Sequence, residues 1–154
     1  MNKLKQIITI SKNIGSTPVI ACIGSTKDIA DSLGPITGQL LVEKYKTNAV
    51  VVGTLLSPLH ALNLEESLDK IKTKYPTSKI IAVDACSSSE KSEKIVCLKG
   101  GIKPGLASGK NLPRIGDYSI VGSTFTNSVQ SLGEVYLLAD KIAKLINFIV
   151  SSSR

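Results

Sequence analysis

A chain of 154 residues, 42% hydrophobic and 20% charged, has the make-up of one soluble α/β-sized domain with enough length to bury a core. Its formal charge of +7 invites a nucleic-acid reading, but the lysines are scattered from Lys3 to Lys144 and only 4% of residues are aromatic, which leaves few rings to stack on bases. No uncharged apolar run is long enough to cross a bilayer, because Asp140, Lys141 and Lys144 interrupt the best candidate, Val135–Val150, at helical spacing.

Residues 1–14 are expected to form a short helix or arm that ends near Gly15. Pro18–Ile23 reads as a buried strand over about 17–23, bounded by Gly24. A polar loop follows, and then a helix over about 34–46 started by Gly34-Pro35, with Ile36, Leu40, Leu41 and Tyr45 on its buried face. Asp31 and Ser32 stand where N-caps are found. Ala49–Val52 is a β-branched strand of the kind covered on both faces, closed by Gly53-Thr54. Ser57-Pro58 should start a second helix that runs to about Tyr75, with Leu64, Leu68 and Ile71 inward, until Pro76 breaks it. Lys79–Asp84 is a third apolar strand that ends on an acid, and Ser87–Ser92 a polar loop. Ile95–Leu98 and Tyr118–Val121 read as further short strands, and about 127–150 as the last helix.

Alternating strands and helices with uniformly apolar strands imply an α/β fold: a three-layer αβα domain around a mostly parallel mixed sheet. The shorter late strands, joined without long helices, imply that part of the sheet is antiparallel. No repeat or linker divides residues 1–154, so one domain is expected. The N-terminus has basic residues and only a short apolar patch, without a small-residue cleavage site, and reads as cytoplasmic. Cys22, Cys86 and Cys97 lack metal-ligand spacing and read as structural thiols. Gly105–Asn111 resembles a phosphate loop but has one residue too few between its glycines and Asn111 where a hydroxyl residue belongs, so no nucleotide site is expected.

In parallel sheets, ligands bind beyond the carboxyl ends of the strands, where the strand order reverses. Asp31, Gly53-Thr54 and Asp84 all follow or end strands, so they share that edge. If the first and third strands are neighbours, the two carboxyls can approach and hold one proton between them. Such a pair activates a water and protonates a leaving amine; with a third ligand it would instead hold a divalent metal. Gly24, Ser32, Gly53, Thr54, His60 and Lys110 are expected to line the crevice and bind substrate. His60, the single histidine, is placed in the first turn of the second helix, where a neutral imidazole is favoured; it either lines the crevice or bonds nearby backbone. Asp117 is either a third acid at the rim or a turn residue.

Several segments carry a family resemblance: Asp31-Ser-Leu-Gly-Pro35, Gly53-Thr-Leu with Pro58-Leu-His-Ala-Leu-Asn-Leu64, Ile80-Ile-Ala-Val-Asp-Ala85, and Lys103-Pro-Gly through Asp117-Tyr-Ser-Ile120. In this order over about residues 18–145 they resemble the sporulation protein YyaC family, which is similar to the germination protease of endospore formers and to hydrogenase maturation endopeptidases. The resemblance implies a phosphorylase/hydrolase-like (HybD-like) α/β fold and places the two catalytic aspartates at Asp31 and Asp84. The maturation enzymes add a histidine to complete a nickel-contacting triad, and that position aligns with Val121, so neither a metal nor another cofactor is expected. Thr26 stands where the family's first loop carries an Asp, and Lys27 keeps the charge of its Arg.

Two functions from different classes are consistent with this reading. One is a sporulation-associated peptidase of the sporulating cell or forespore cytoplasm, acting on a peptide or protein substrate of acidic character. The other is a non-catalytic protein that binds a peptide or protein in the same crevice. Neither nucleic acid nor membrane is an expected partner, and the sequence fixes no oligomeric state.

Overall fold

A computed structural model describes residues 2–88, 95–104, 111–125 and 131–153. In chain order its elements are α1 (Lys3–Asn13), β1 (Val19–Cys22), α2 (Leu33–Glu43), β2 (Val50–Val52), α3 (Leu64–Lys74), β3 (Ile80–Ser88), β4 (Ile95–Lys99), β5 (Tyr118–Phe125) and α4 (Leu132–Ser152). The sheet order is β2-β1-β3-β5-β4. β1 pairs in parallel with both β2 and β3, β3 pairs in parallel with β5, and β4 runs antiparallel to β5. The three-layer, mostly parallel arrangement is as expected, and so is the antiparallel part.

Alternation along each strand divides the core in two. Ile20, Cys22, Ile81, Val83 and Ile120 meet α1, α2 and α4 on one face. Val19, Ala21, Ile23 and Ala82 meet Leu59, Leu64, Leu68 and Ile71 on the other. Among the described residues no helix is long and apolar enough to cross a membrane.

Several local expectations are corrected. The second helix starts at Leu64, not at Ser57-Pro58. Asn63 is the reason: its side chain accepts from the His60 amide at 2.9 Å and donates to the Pro58 carbonyl at 2.9 Å, which folds 58–63 into turns. Leu59 is instead extended and forms a parallel bridge with Ile23. Asp31 and Ser32 do not cap the first long helix. They lie in a one-turn 3-10 helix, Ala30–Ser32, that runs straight into α2, and the Ser32 hydroxyl donates back to the Ile29 carbonyl at 2.6 Å.

β3 does not stop at Asp84; it continues to Ser88 because β5 offers a ladder partner to each residue as far as Phe125. The last helix begins at Leu132 rather than near 127, capped by the Ser131 hydroxyl. Asp117 is not at the rim: it accepts from the Ile80 amide at 2.8 Å, at the amino end of β3, the opposite edge of the sheet. The expectations for Lys110 and for the loop at 105–110 lie outside the described residues.

Candidate active site

β1 is the point where the strand order reverses, with β2 on one side and β3 on the other. The residues after β1 fold back over its carboxyl end, and two glycines make this possible. A Cβ on Gly24 would collide with the Asp31 carbonyl oxygen, and one on Gly34 with the Ile23 carbonyl oxygen. Without those side chains the Ser25 amide donates to the Asp31 carbonyl at 3.1 Å, closing the loop. Pro35 follows in the first turn of α2, where its missing N–H leaves no bond unmade. Asp31 is thereby held, exposed, above the end of β1.

Asp84 comes from the adjacent strand. Val83 is level with Cys22, the last residue of β1, so Asp84 stands just past that end. It is partly buried and shares the face of Ile80 and Ala82, toward α3. Burial pushes its carboxyl up to about 7, the Ala85 amide at 2.8 Å pulls the other way, and the negative charge of Asp31 adds to the rise. Asp31 is also raised, by desolvation and by Asp28, with the Ser25 amide opposing. The structure thus brings the two aspartates to one place in unlike surroundings: one exposed, the other packed into the sheet.

Of the other expected site residues, Gly24 lies against Asp31. Ser32 is buried, and its hydroxyl is used internally. His60 follows the Leu59 bridge and is partly buried; its Nδ1 accepts from the Leu62 amide at 3.2 Å. It is not in a helix, so the helix-terminus argument for its neutral form falls away. Gly53 and Thr54 line a cavity of about 200 Å³ with Ser57, Asn63 and Ser67, on the β2 side of β1 rather than over the carboxyls. Gly53 has a φ of +96°, and a Cβ there would meet the Cys22 carbonyl oxygen.

Asn63 and Ser67 were missed in the sequence. The one available signal was Asn63 directly before the apolar period of α3. Cys86 is exposed rather than in the core, on the same face as Asp84 and two residues further along β3. Cys22 and Cys97 are buried, as expected.

The nickel triad of the maturation enzymes does not fit these residues. Val121, aligned with its histidine, is the ladder partner of Asp84 and offers only hydrocarbon. Among the described residues no three His, Cys, Asp or Glu side chains come together.

The family described as "Protein of unknown function (DUF1256)" matches residues 1–145. The chain belongs to this family. "Uncharacterized protein YyaC" of Bacillus subtilis (strain 168) is 38% identical over 124 residues, 77% of this chain and 60% of that protein. The chain therefore spans about 60% of the length of that curated relative. Among solved structures, a [NiFe] hydrogenase maturation protease HycI from Thermococcus kodakarensis KOD1 superposes with a TM-score of 0.63 at 16% identity, covering 94% of this chain and 99% of that one. At that identity the likeness concerns the fold, which this DUF1256 member shares.

Proposed function

We propose that this DUF1256 protein is a sporulation-associated peptidase that hydrolyses a peptide bond between Asp31 and Asp84. The observation that carries the reading is the unlike setting of the two carboxyls at the switch point of the sheet. Acid and base roles are divided where surroundings push two titrating groups apart. Asp31, open to water, acts as the carboxylate base; Asp84, with its pKa raised to about 7, is the acid.

Asp31 takes a proton from a water, whose oxygen attacks the peptide carbonyl. Asp84 then gives its proton to the departing amine nitrogen as the C–N bond breaks. The products are a carboxylic acid and an amine, and solvent exchange returns the proton from Asp31 to Asp84. The likeness in fold to a hydrogenase maturation protease supports this chemistry, and the YyaC resemblance supports a sporulation role in the cytoplasm of the sporulating cell or forespore. A second reading, peptide binding without hydrolysis, is favoured by the hydroxyl-lined cavity lying beside the carboxyls rather than over them.

The test is to incubate the protein with a complex peptide mixture and identify new termini by mass spectrometry. Cleavage that disappears in Asp31→Asn, and that falls as pH rises through about 7, supports the peptidase. Equal cleavage by wild type and Asp31→Asn, or none by either, overturns it.

A further inference from the structure

We propose that the outer edge of β2, with the groove between β2 and α3, binds an extended, acid-flanked apolar segment of a partner protein by strand addition. β2 is the last strand on its side of the sheet, and no strand covers its outer edge among the described residues. The Val50 amide donates inward to the Pro18 carbonyl at 3.1 Å, so alternation turns the N–H and C=O of Val51 outward.

Beside this edge two cavities, of about 200 and 260 Å³, share Val52 and Ser67 and so adjoin along the groove between β2 and α3. Its lower part has an apolar floor of Val50, Val52, Ile71 and Tyr75. An extended chain needs both features together, because its backbone pairs with the edge while alternate side chains drop into the groove. From Val50 to Val52 the edge runs about 7 Å, so an extended chain would pair with it through the outward groups of Val51.

Charge selects the occupant. Lys70 and Lys74 form the rim. Among the described residues Lys70 pairs with Glu66, an exposed pair that contributes little and yields readily to a competing carboxylate. Lys74 lies over the Tyr75 ring at 5.5 Å, with no carboxylate partner among the described residues. At the upper end, Leu56 and Leu62 are 89% and 76% exposed, on the turns that also carry Thr54, Ser57 and Asn63. A second copy is the poorer occupant, because its own β2, Val50–Val52, carries no acid.

This inference does not depend on the peptidase reading, since binding alone tests it. The probe is a fluorescein-labelled heptapeptide, Glu-Val-Thr-Val-Thr-Val-Glu, with a Lys-flanked counterpart and a version with alternate amides N-methylated. Fluorescence anisotropy should show the acid-flanked peptide binding roughly tenfold tighter than the Lys-flanked one at low ionic strength, as two added charge pairs allow. The preference should vanish in the Lys70→Glu/Lys74→Glu double variant, and the N-methylated peptide should not bind. Equal binding of the acidic and basic peptides, undiminished binding of the N-methylated one, or no binding at all overturns the proposal. So does a dimer by light scattering that Val51→Pro converts to monomer, which would assign the edge to a second copy.

Discussion

The charge of Asp31 raises the proton affinity of Asp84 across the end of β1, on top of a larger rise from burial. Asp31 is itself raised by desolvation and by Asp28, with the Ser25 amide opposing. Asp31→Asn should therefore lower the midpoint of Asp84, with burial still holding it above the usual carboxylate range. Carbon-13 NMR titration of the side-chain carboxyls measures it; an unmoved midpoint would mean that the two groups do not act as a pair.

Asp84 also fixes a pH signature of stability. Its folded pKa, about 7, lies above the ordinary 3.8, so the folded state holds the proton more tightly between those values. The contribution is intact below about pH 4 and is lost as pH rises through about 7. An amide at this position stays neutral throughout. Asp84→Asn should match wild type near pH 4 and exceed it by several kcal/mol, at most about 4, at pH 8. Urea unfolding at the two pH values decides. The same variant should be inactive, trading catalysis for stability.

Asp140 has the opposite sign. It accepts from Lys44 Nζ at 2.9 Å and from the Tyr45 hydroxyl at 2.8 Å, joining α4 to the end of α2. The Lys44 bond is the main cause that lowers its pKa. Its stabilisation is therefore present at neutral pH and is lost as pH falls through the depressed folded value. Asp140→Asn should cost about 1 kcal/mol at pH 7 and almost nothing at strongly acid pH. Thermal melts along a pH series would show the gap closing.

Gly24→Ala tests the loop that presents Asp31. The new methyl would have to displace the Asp31 carbonyl, held in the 3-10 turn, and the Pro35 ring, held in α2. A destabilisation of about 1–3 kcal/mol is expected, as for overpacking elsewhere, with activity lost even where the protein remains folded. Chemical denaturation and cleavage assayed side by side separate the two effects. Full activity in a folded Gly24→Ala would show that the position of Asp31 tolerates movement and does not support its role as base.

Much of the fold was legible in the residues themselves. The apolar runs at 49–52 and 80–83 mark strands, although β2, at the edge of the sheet, is only half-buried rather than covered on both faces; the three-residue and four-residue apolar spacing of Leu64, Leu68 and Ile71 marks a helix face. These signals are local, because burial on a periodic element imprints its period on the chain. Asp31 and Asp84 were legible as acids at one edge because parallel strands share a direction: Asp31 follows β1, and Asp84 lies in β3 one residue beyond the level at which β1 ends. The true start of α3 was not legible, because it depends on Asn63 tying down His60 and Pro58. Nor was the end of β3, which depends on a ladder partner almost forty residues away in β5.

What the sequence by itself determined, then, is the set of elements and the two acids, each written in a short window of residues. The tertiary structure decided their relations. Placing β3 beside β1 brought Asp84 next to Asp31 and gave it the burial that raises its pKa. The same strand order put Asp117 on the far edge and left β2 with a free side. Neighbour relations of this kind arise from pairings between distant segments, and a carboxyl's proton affinity depends on which groups those pairings bring around it.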